Sequence, residues 1–311
     1  MTCPGAFLRD IIYPRFETAS LMKKIVELLR LMRPYQWVKN TFVFTGLLFG
    51  HATHDANLVA SAVLAFAAFC MMSSAVYVIN DIVDMEQDRL HPQKRQRPLA
   101  TGKVSLVSAG VLAALLGVTG LVLGKLASNN VAFILAGYAL MNIAYTLRLK
   151  HVVILDVFII AAGFMLRILA GTLGVGIPPS QWLLLCGLMA TLFLGFTKRR
   201  AEIIALNEDK TAHRKVLEHY SPVLLDKMIG ITAAGLIMSY SLYTMNPDTI
   251  SIHGTANLIY TVPFVMYGVF RYIYLLHHQS RGGDPSHDLV RDPHLITVVG
   301  AWLIATILLI A

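Results

Sequence analysis

Hydrophobic residues in this chain gather into nine runs, at roughly 34–50, 57–79, 106–124, 130–147, 153–173, 180–197, 226–245, 256–276 and 293–311. A helix needs about twenty consecutive apolar residues to cross the hydrocarbon core of a bilayer, and most of these runs approach that length. The first is short and carries Lys39 and Asn40 near its start, so its boundary is the least defined. The pattern predicts an all-α, polytopic membrane protein: one nine-helix transmembrane domain over residues 34–311. Ahead of it, Leu21, Met22, Ile25, Leu28, Leu29 and Met32 recur at helical spacing, opposite Lys23, Lys24 and Glu27. That spacing predicts an amphipathic helix lying in the membrane interface, so residues 1–33 are expected to form a cytoplasmic, interfacial segment. Residues 1–18 show no clear period and carry no functional reading.

Composition supports the membrane class. The chain has 311 residues, 56% hydrophobic and only 14% charged, too apolar for an ordinary soluble domain. Basic residues orient it. With the N-terminus in the cytoplasm, 24 of the 26 Lys and Arg fall in the N-terminal segment and the cytoplasmic loops; Arg167 is inside a run and Lys125 in an opposite loop. That asymmetry predicts a cytoplasmic N-terminus and an external C-terminus. The net charge of +8 therefore calls for no nucleic acid; it follows from topology, with a share for anionic membrane lipids and phosphorylated substrates. Cys3, Cys70 and Cys186 lack metal or disulfide spacing and read as packing residues. No cleavable signal precedes the first run, so the first helix is expected to target the chain.

The densest chemistry lies between residues 80 and 103. Asp81, Asp84 and Asp88 follow a long apolar run, and Arg89, Lys94, Arg95 and Arg97 come directly after. On one continuous helix, spacings of three and four put the three carboxylates on one face. So much negative charge beside hydrocarbon needs a cation. Hard oxygen ligands favour Mg²⁺, which commonly takes one or two carboxylates together with substrate phosphates, and the basic residues have the chemistry to hold phosphate oxygens. The stretch predicts a Mg²⁺–diphosphate site at a membrane surface, with Asp81, Asp84 and Asp88 as metal ligands. A solvated loop with paired charges is the plainer alternative.

This stretch also carries a resemblance. Asn80-Asp81-x-x-Asp84-x-x-x-Asp88, followed by Lys94-Arg95-x-Arg97-Pro98-Leu99 and Gly102, resembles the first aspartate-rich motif of the UbiA-type intramembrane prenyltransferase superfamily. Within it, the chain from Arg33 onward is most similar to the decaprenyl-phosphate phosphoribosyltransferases. The resemblance implies a UbiA-type bundle with a cytoplasm-facing cavity, lateral access for lipid and short loop helices over the mouth. It places the Trp37-Val38-Lys39-Asn40 stretch beside the active site and the turn at Tyr145 and Arg148 at the border of the substrate pocket.

Further candidates come from polar groups in apolar surroundings. Lys39 and Asn40 sit at a depth where polar groups normally face a cavity, although Lys39 could equally snorkel. Asp156 and Arg167 are ionisable groups within the fifth run, about 16 Å apart along one helical face; each needs partners on other helices, for function or for holding helices together. The sixth run ends in Lys198-Arg199-Arg200-Ala201-Glu202. Prenyl-diphosphate-using relatives usually have a second aspartate motif there. Here Glu208 and Asp209 are adjacent and diverge on a helix, and Lys-Arg-x-x-Glu is the pattern of the phosphoribosyltransferase branch. His277 and His278 read as surface residues.

The resemblance thus implies Mg²⁺-dependent transfer of 5-phosphoribose from phosphoribosyl pyrophosphate to a polyprenyl phosphate, releasing pyrophosphate, for cell-envelope arabinan precursors. Lys39, Arg167 and Lys198 are candidates for positioning phosphates; Asn80, Arg199 and Glu202 complete the expected substrate-binding set. A homo-oligomer is left open. Three alternatives remain: a prenyltransferase acting on an aromatic or lipid acceptor, a transporter lined by Asp156 and Arg167, and a non-catalytic membrane subunit.

Overall fold

The computed structural model describes residues 15–50, 52–91, 94–208, 217, 219–278 and 291–310, and among these every regular element is helical. Helix α1 (Arg15–Met32) leads into a 3₁₀ stretch, Pro34–Phe44, and a short α2 (Thr45–Phe49). Then come α3 (Ala56–Val83), α4 (Met85–Leu90), a 3₁₀ turn at Lys94–Gln96, α5 (Leu106–Ala127), α6 (Asn129–Leu147) and α7 (Leu155–Ala170). The second half contains α8 (Gln181–Glu208), α9 (Pro222–Met245), α10 (Pro247–His253), α11 (Val262–His278) and α12 (Pro293–Ile310).

Local chemistry sets several boundaries. The Asp55 carboxylate accepts the N–H groups of Asn57 and Leu58 and starts α3; Ser105, Ser128 and Ser221 do the same for α5, α6 and α9. Asn246 followed by Pro247, and Asp292 followed by Pro293, start α10 and α12. A polar N-cap with proline next satisfies an orphan donor and removes another.

Seven described helices are long and apolar enough to cross a membrane. They correspond to seven of the nine expected spans, and the other two are shorter. The first is mostly 3₁₀ helix over 11 residues, unusual because such runs are normally brief. At about 2.0 Å per residue, this stretched form and α2 together extend roughly 30 Å, the thickness of a hydrocarbon core. Helix α7 has 16 residues and reaches only ~24 Å. These two short elements pack together at close range. A Cβ on Gly171 would lie 1.6 Å from the Val43 carbonyl oxygen, and one on Gly46 would lie 1.9 Å from that of Gly171, so only glycine permits the approach.

Large apolar side chains such as Val107, Phe133 and Leu308 are exposed on the outside of the bundle, the arrangement lipid requires. One apolar core joins the first segment, α3, α6 and α7; another joins α7, α8, α9, α11 and α12. Between the first segment and α8, α9, α11 and α12 lies a cavity of about 470 Å³. Helix α1 buries Leu31 against α3 and α5, while Met22, Ile25, Val26 and Leu29 stay exposed.

Candidate functional site

Asp81 and Asp88 define the centre. Both are buried, at 2% and 4% exposure, and both accept from the same nitrogen, Nη1 of Arg97, at 2.9 and 2.6 Å. Arg33 Nη2 donates to the same Asp81 oxygen at 2.5 Å, and its guanidinium lies over the Tyr77 ring. Two carboxylates and two guanidiniums therefore balance in one cluster. Charge-assisted pairs of this kind offset much of the cost of burying each ion.

The three aspartates do not share one helix face. Helix α3 stops at Val83, and Asp84 is a non-helical hinge before α4. That hinge sends Asp84 towards the α6–α7 turn, where Lys150 Nζ donates to it at 2.6 Å. Among the described residues no three His, Cys, Asp or Glu side chains converge on one point. The donor set still suits Mg²⁺, because two buried carboxylates converge on a single cationic nitrogen and this metal completes its shell with waters and phosphates. Asn80 lies alongside, its Oδ1 accepting from Thr146.

The basic residues after the motif divide. Arg97 is in the cluster. Arg89 does not join it; it pairs with Glu86 at 2.8 Å and reaches the Ala100 carbonyl. Lys94 and Arg95 lie on the 3₁₀ turn, Lys94 half-buried and Arg95 exposed. Next to that turn, partial burial and the Lys94 charge hold the His91 imidazole below its usual range.

A second charged group ties α7 to α8. Asp156, fully buried, accepts from Arg199 Nε and from the Tyr220 hydroxyl, each at 2.7 Å. Arg199 also donates to Glu202, and Tyr220 accepts the N–H of Ile154, whose φ of 69° is left-handed. Burial, followed by the Asp156 bond, raises the Tyr220 hydroxyl above its usual range. Arg200 pairs with Asp226. Lys198 stands apart: it is exposed, one turn beyond Leu194, a residue of the cavity wall. Tyr145 is half-buried near Arg199, and Arg148 is exposed at the end of α6.

Deeper in the bundle, Arg167 donates to Asn40 (2.7 Å), the Gly163 carbonyl (2.7 Å) and the Tyr138 hydroxyl (3.0 Å), with the rings of Phe69, Tyr138 and Phe164 around its guanidinium. Asn40 in turn donates to Cys70 and Ser73. This network joins the first segment, α3, α6 and α7 through neutral groups and cation–π contacts. Lys39, half-buried, is the neighbour of Asn40. Asp156 and Arg167, read together from the sequence, belong to separate networks.

Several residues here were not legible as site residues. Arg33 preceded a proline at the membrane entrance and read as an interfacial charge; its left-handed backbone (φ 53°) directs it to Asp81. Tyr138 and Tyr220 gave one weak signal, since a buried tyrosine hydroxyl needs a partner. Cys70 and Cys186 are buried free thiols. His277 and His278 are exposed, with His277 3.4 Å from Asp226. Cys3, Asp209 and the loop 279–290 lie outside the described residues.

Fold and site together define a polytopic helical membrane protein with a buried acid–arginine centre at the end of its helices and, between the first segment and α8, α9, α11 and α12, an apolar cavity. The UbiA prenyltransferase family profile matches residues 41–287. The chain belongs to this family and is a transferase. It is 33% identical to the decaprenyl-phosphate phosphoribosyltransferase of Mycolicibacterium smegmatis, over 92% of this chain and 93% of that one. The protein of the same name from Mycobacterium tuberculosis is also 33% identical, with coverage of 92% and 93%. A UbiA homolog from Archaeoglobus fulgidus, solved bound to GPP and Mg²⁺, superposes with a TM-score of 0.68 at 18% identity, covering 91% of this chain and 96% of that one.

Proposed function

We propose that the protein transfers 5-phosphoribose from phosphoribosyl pyrophosphate to a polyprenyl phosphate, with Mg²⁺, at the cytoplasmic face of a bacterial inner membrane, for cell-envelope arabinan precursors. The observation that carries this reading is the cluster of Asp81 and Asp88 with Arg33 and Arg97. Each carboxylate is already held by a cation that can move to phosphate. Asp81 and Asp88 would hold the metal, which when bound neutralises charge developing on the leaving pyrophosphate. Arg33 and Arg97 exchange carboxylate oxygens for donor phosphate oxygens and add electrostatic stabilisation. Lys150, paired with Asp84 beside Arg148, supplies further positive charge on the same side. The acceptor phosphate is an anionic nucleophile and needs no strong base, so attack at the anomeric carbon only has to be aligned with pyrophosphate departure.

Two features favour phosphoribosyl over prenyl donors. Where prenyl-diphosphate-using relatives usually have a second acidic motif, Glu202 is bonded to Arg199 and Arg199 to Asp156. A metal there would have to dismantle a buried pair. The relatives named above are also called phosphoribosyltransferases. The apolar cavity, whose wall continues towards Lys198, suits the lipid tail of the acceptor.

Purified protein in membranes, given labelled phosphoribosyl pyrophosphate, polyprenyl phosphate and Mg²⁺, should move label into the lipid fraction. A prenyl diphosphate should neither replace the donor nor prenylate an aromatic acid. Prenyl transfer without ribosyl transfer would overturn the assignment.

A further inference from the structure

The chain makes an elbow at Arg33. This residue separates α1 from the 3₁₀ stretch that opens at Pro34, and its backbone is left-handed, with φ 53° and ψ 59°. Residues with a Cβ rarely enter that region, and a following proline normally holds its neighbour in extended backbone. The local sequence does not favour the elbow, so contacts from elsewhere must hold it.

Those contacts come from one face of α3. Ser74, Tyr77 and Asp81 follow one another at spacings of three and four, so they line up along the helix. Ser74 is fully buried. Its hydroxyl donates to the Met32 carbonyl at 2.8 Å and accepts from Trp37 Nε1 at 3.0 Å. A single side chain thus ties the residue before the elbow to a residue beyond it. Next along the face is the Tyr77 ring, with the Arg33 guanidinium carbon 5.2 Å from its centroid. Asp81 then accepts from Arg33 Nη2. The backbone elbow, the flat side of the guanidinium and one of its edges are each fixed by a different residue of the same helix face.

We infer that Ser74 and Tyr77 are positioning residues that set the reach and the plane of Arg33 for its hold on the diphosphate group. An arginine on an unconstrained chain gives up rotamer freedom each time it grips a phosphate. Here the elbow and the ring have already removed much of that freedom, so Arg33 meets the diphosphate preorganised. The two residues contribute differently. Ser74 acts through its hydroxyl, because among small side chains only a hydroxyl donates well and accepts at the same time. Tyr77 acts through its ring face, which attracts the guanidinium, and its own hydroxyl is not needed for that.

This inference rests on the reading of Asp81, Asp88, Arg33 and Arg97 as a diphosphate site, and the test separates it from the choice of donor. The full chain in detergent is titrated with pyrophosphate and Mg²⁺ by calorimetry, and transfer kinetics are measured in membranes. Ser74→Ala and Tyr77→Leu should each weaken pyrophosphate binding roughly fivefold or more and lower kcat/KM for phosphoribosyl pyrophosphate roughly tenfold or more, with the acceptor KM within about twofold. Ser74→Thr and Tyr77→Phe, which keep the hydroxyl and the ring, should stay within about threefold of the unaltered protein. In an Arg33→Gln background, Ser74→Ala or Tyr77→Leu should change either quantity by no more than about twofold, because the side chain they act through is already gone. Losses that multiply in the double variants overturn the inference, as does a Tyr77→Phe variant as damaged as Tyr77→Leu. Unchanged pyrophosphate affinity in folded Ser74→Ala removes Ser74; if that variant does not fold, the Tyr77 pair and its double variants decide. The expected pattern of pyrophosphate affinities in a protein that transfers nothing from phosphoribosyl pyrophosphate keeps the positioning residues and removes the donor assignment.

Discussion

At the scale of single residues, sequence neighbours have divergent duties. Lys198 is exposed, whereas Arg199 beside it is 2% exposed and bound to Asp156 and Glu202. Arg199→Gln leaves the Asp156 carboxylate buried and short of its cation, a change that typically costs about 3–5 kcal/mol; it should lower the unfolding midpoint in detergent sharply. Lys198→Ala should alter stability by no more than about 0.5 kcal/mol and act on kinetics, raising the KM for phosphoribosyl pyrophosphate. An unchanged donor KM would assign Lys198 to topology alone. At the centre, Asp81→Asn or Asp88→Asn should reduce turnover on the order of 100-fold or more, the range seen when one preorganised electrostatic group is lost, and chelation of Mg²⁺ should mimic both. Near-normal turnover at saturating substrate would remove that residue from the metal site.

At the scale of elements, the first segment and α7 are the unusual pair. A mostly 3₁₀ span and a 16-residue helix are held together by the glycine contact at Gly46 and Gly171 and by the Arg167–Asn40 bond. Backbone-to-backbone contact leaves no room for a methyl group. Gly171→Ala should therefore cost about 3 kcal/mol, the upper end of ordinary overpacking. Gly137→Ala is the control. A Cβ there meets nothing within 4 Å, and helix propensity favours alanine by up to ~1 kcal/mol. Thermal unfolding of the two variants in parallel distinguishes a packing constraint from a general intolerance of change; equal midpoints would show that the two elements can separate at little cost.

For the whole molecule, the charged groups lie together because alternate helix ends meet. Asp84–Lys150 links the end of α3 to the α6–α7 turn, and Asp156–Arg199 links the start of α7 to the end of α8. With the proposed cytoplasmic N-terminus, this charged end faces the cytoplasm. Lys125 and Arg148 are both exposed at the C-terminal ends of α5 and α6, successive spans joined through Ser128, so the two residues belong to opposite ends of the bundle. Lys125→Cys should react with a membrane-impermeant maleimide on intact cells, and Arg148→Cys only after permeabilisation. The reverse pattern would invert the topology.

The sequence by itself determined what depends on composition and period. Runs of apolar residues specify membrane helices because an unsatisfied backbone in hydrocarbon is too costly for any other local form. The aspartate-rich stretch drew attention to residues 80–103 because charge beside hydrocarbon demands compensation. What compensates each charge is a matter of three-dimensional contact. That Asp81 takes Arg33 and Arg97, Asp84 takes Lys150, and Asp156 takes Arg199 could not be read from spacing, since the partners come from other elements. The break at Asp84 redirects one carboxylate away from the others, and helical periodicity assumes no such break. The first span is long enough only because tertiary bonds from Trp37 and Asn40 accompany its stretched form. Local pattern therefore decided which segments enter the membrane, and tertiary structure decided which charges meet, because electrostatic pairing depends on distance in space and not along the chain.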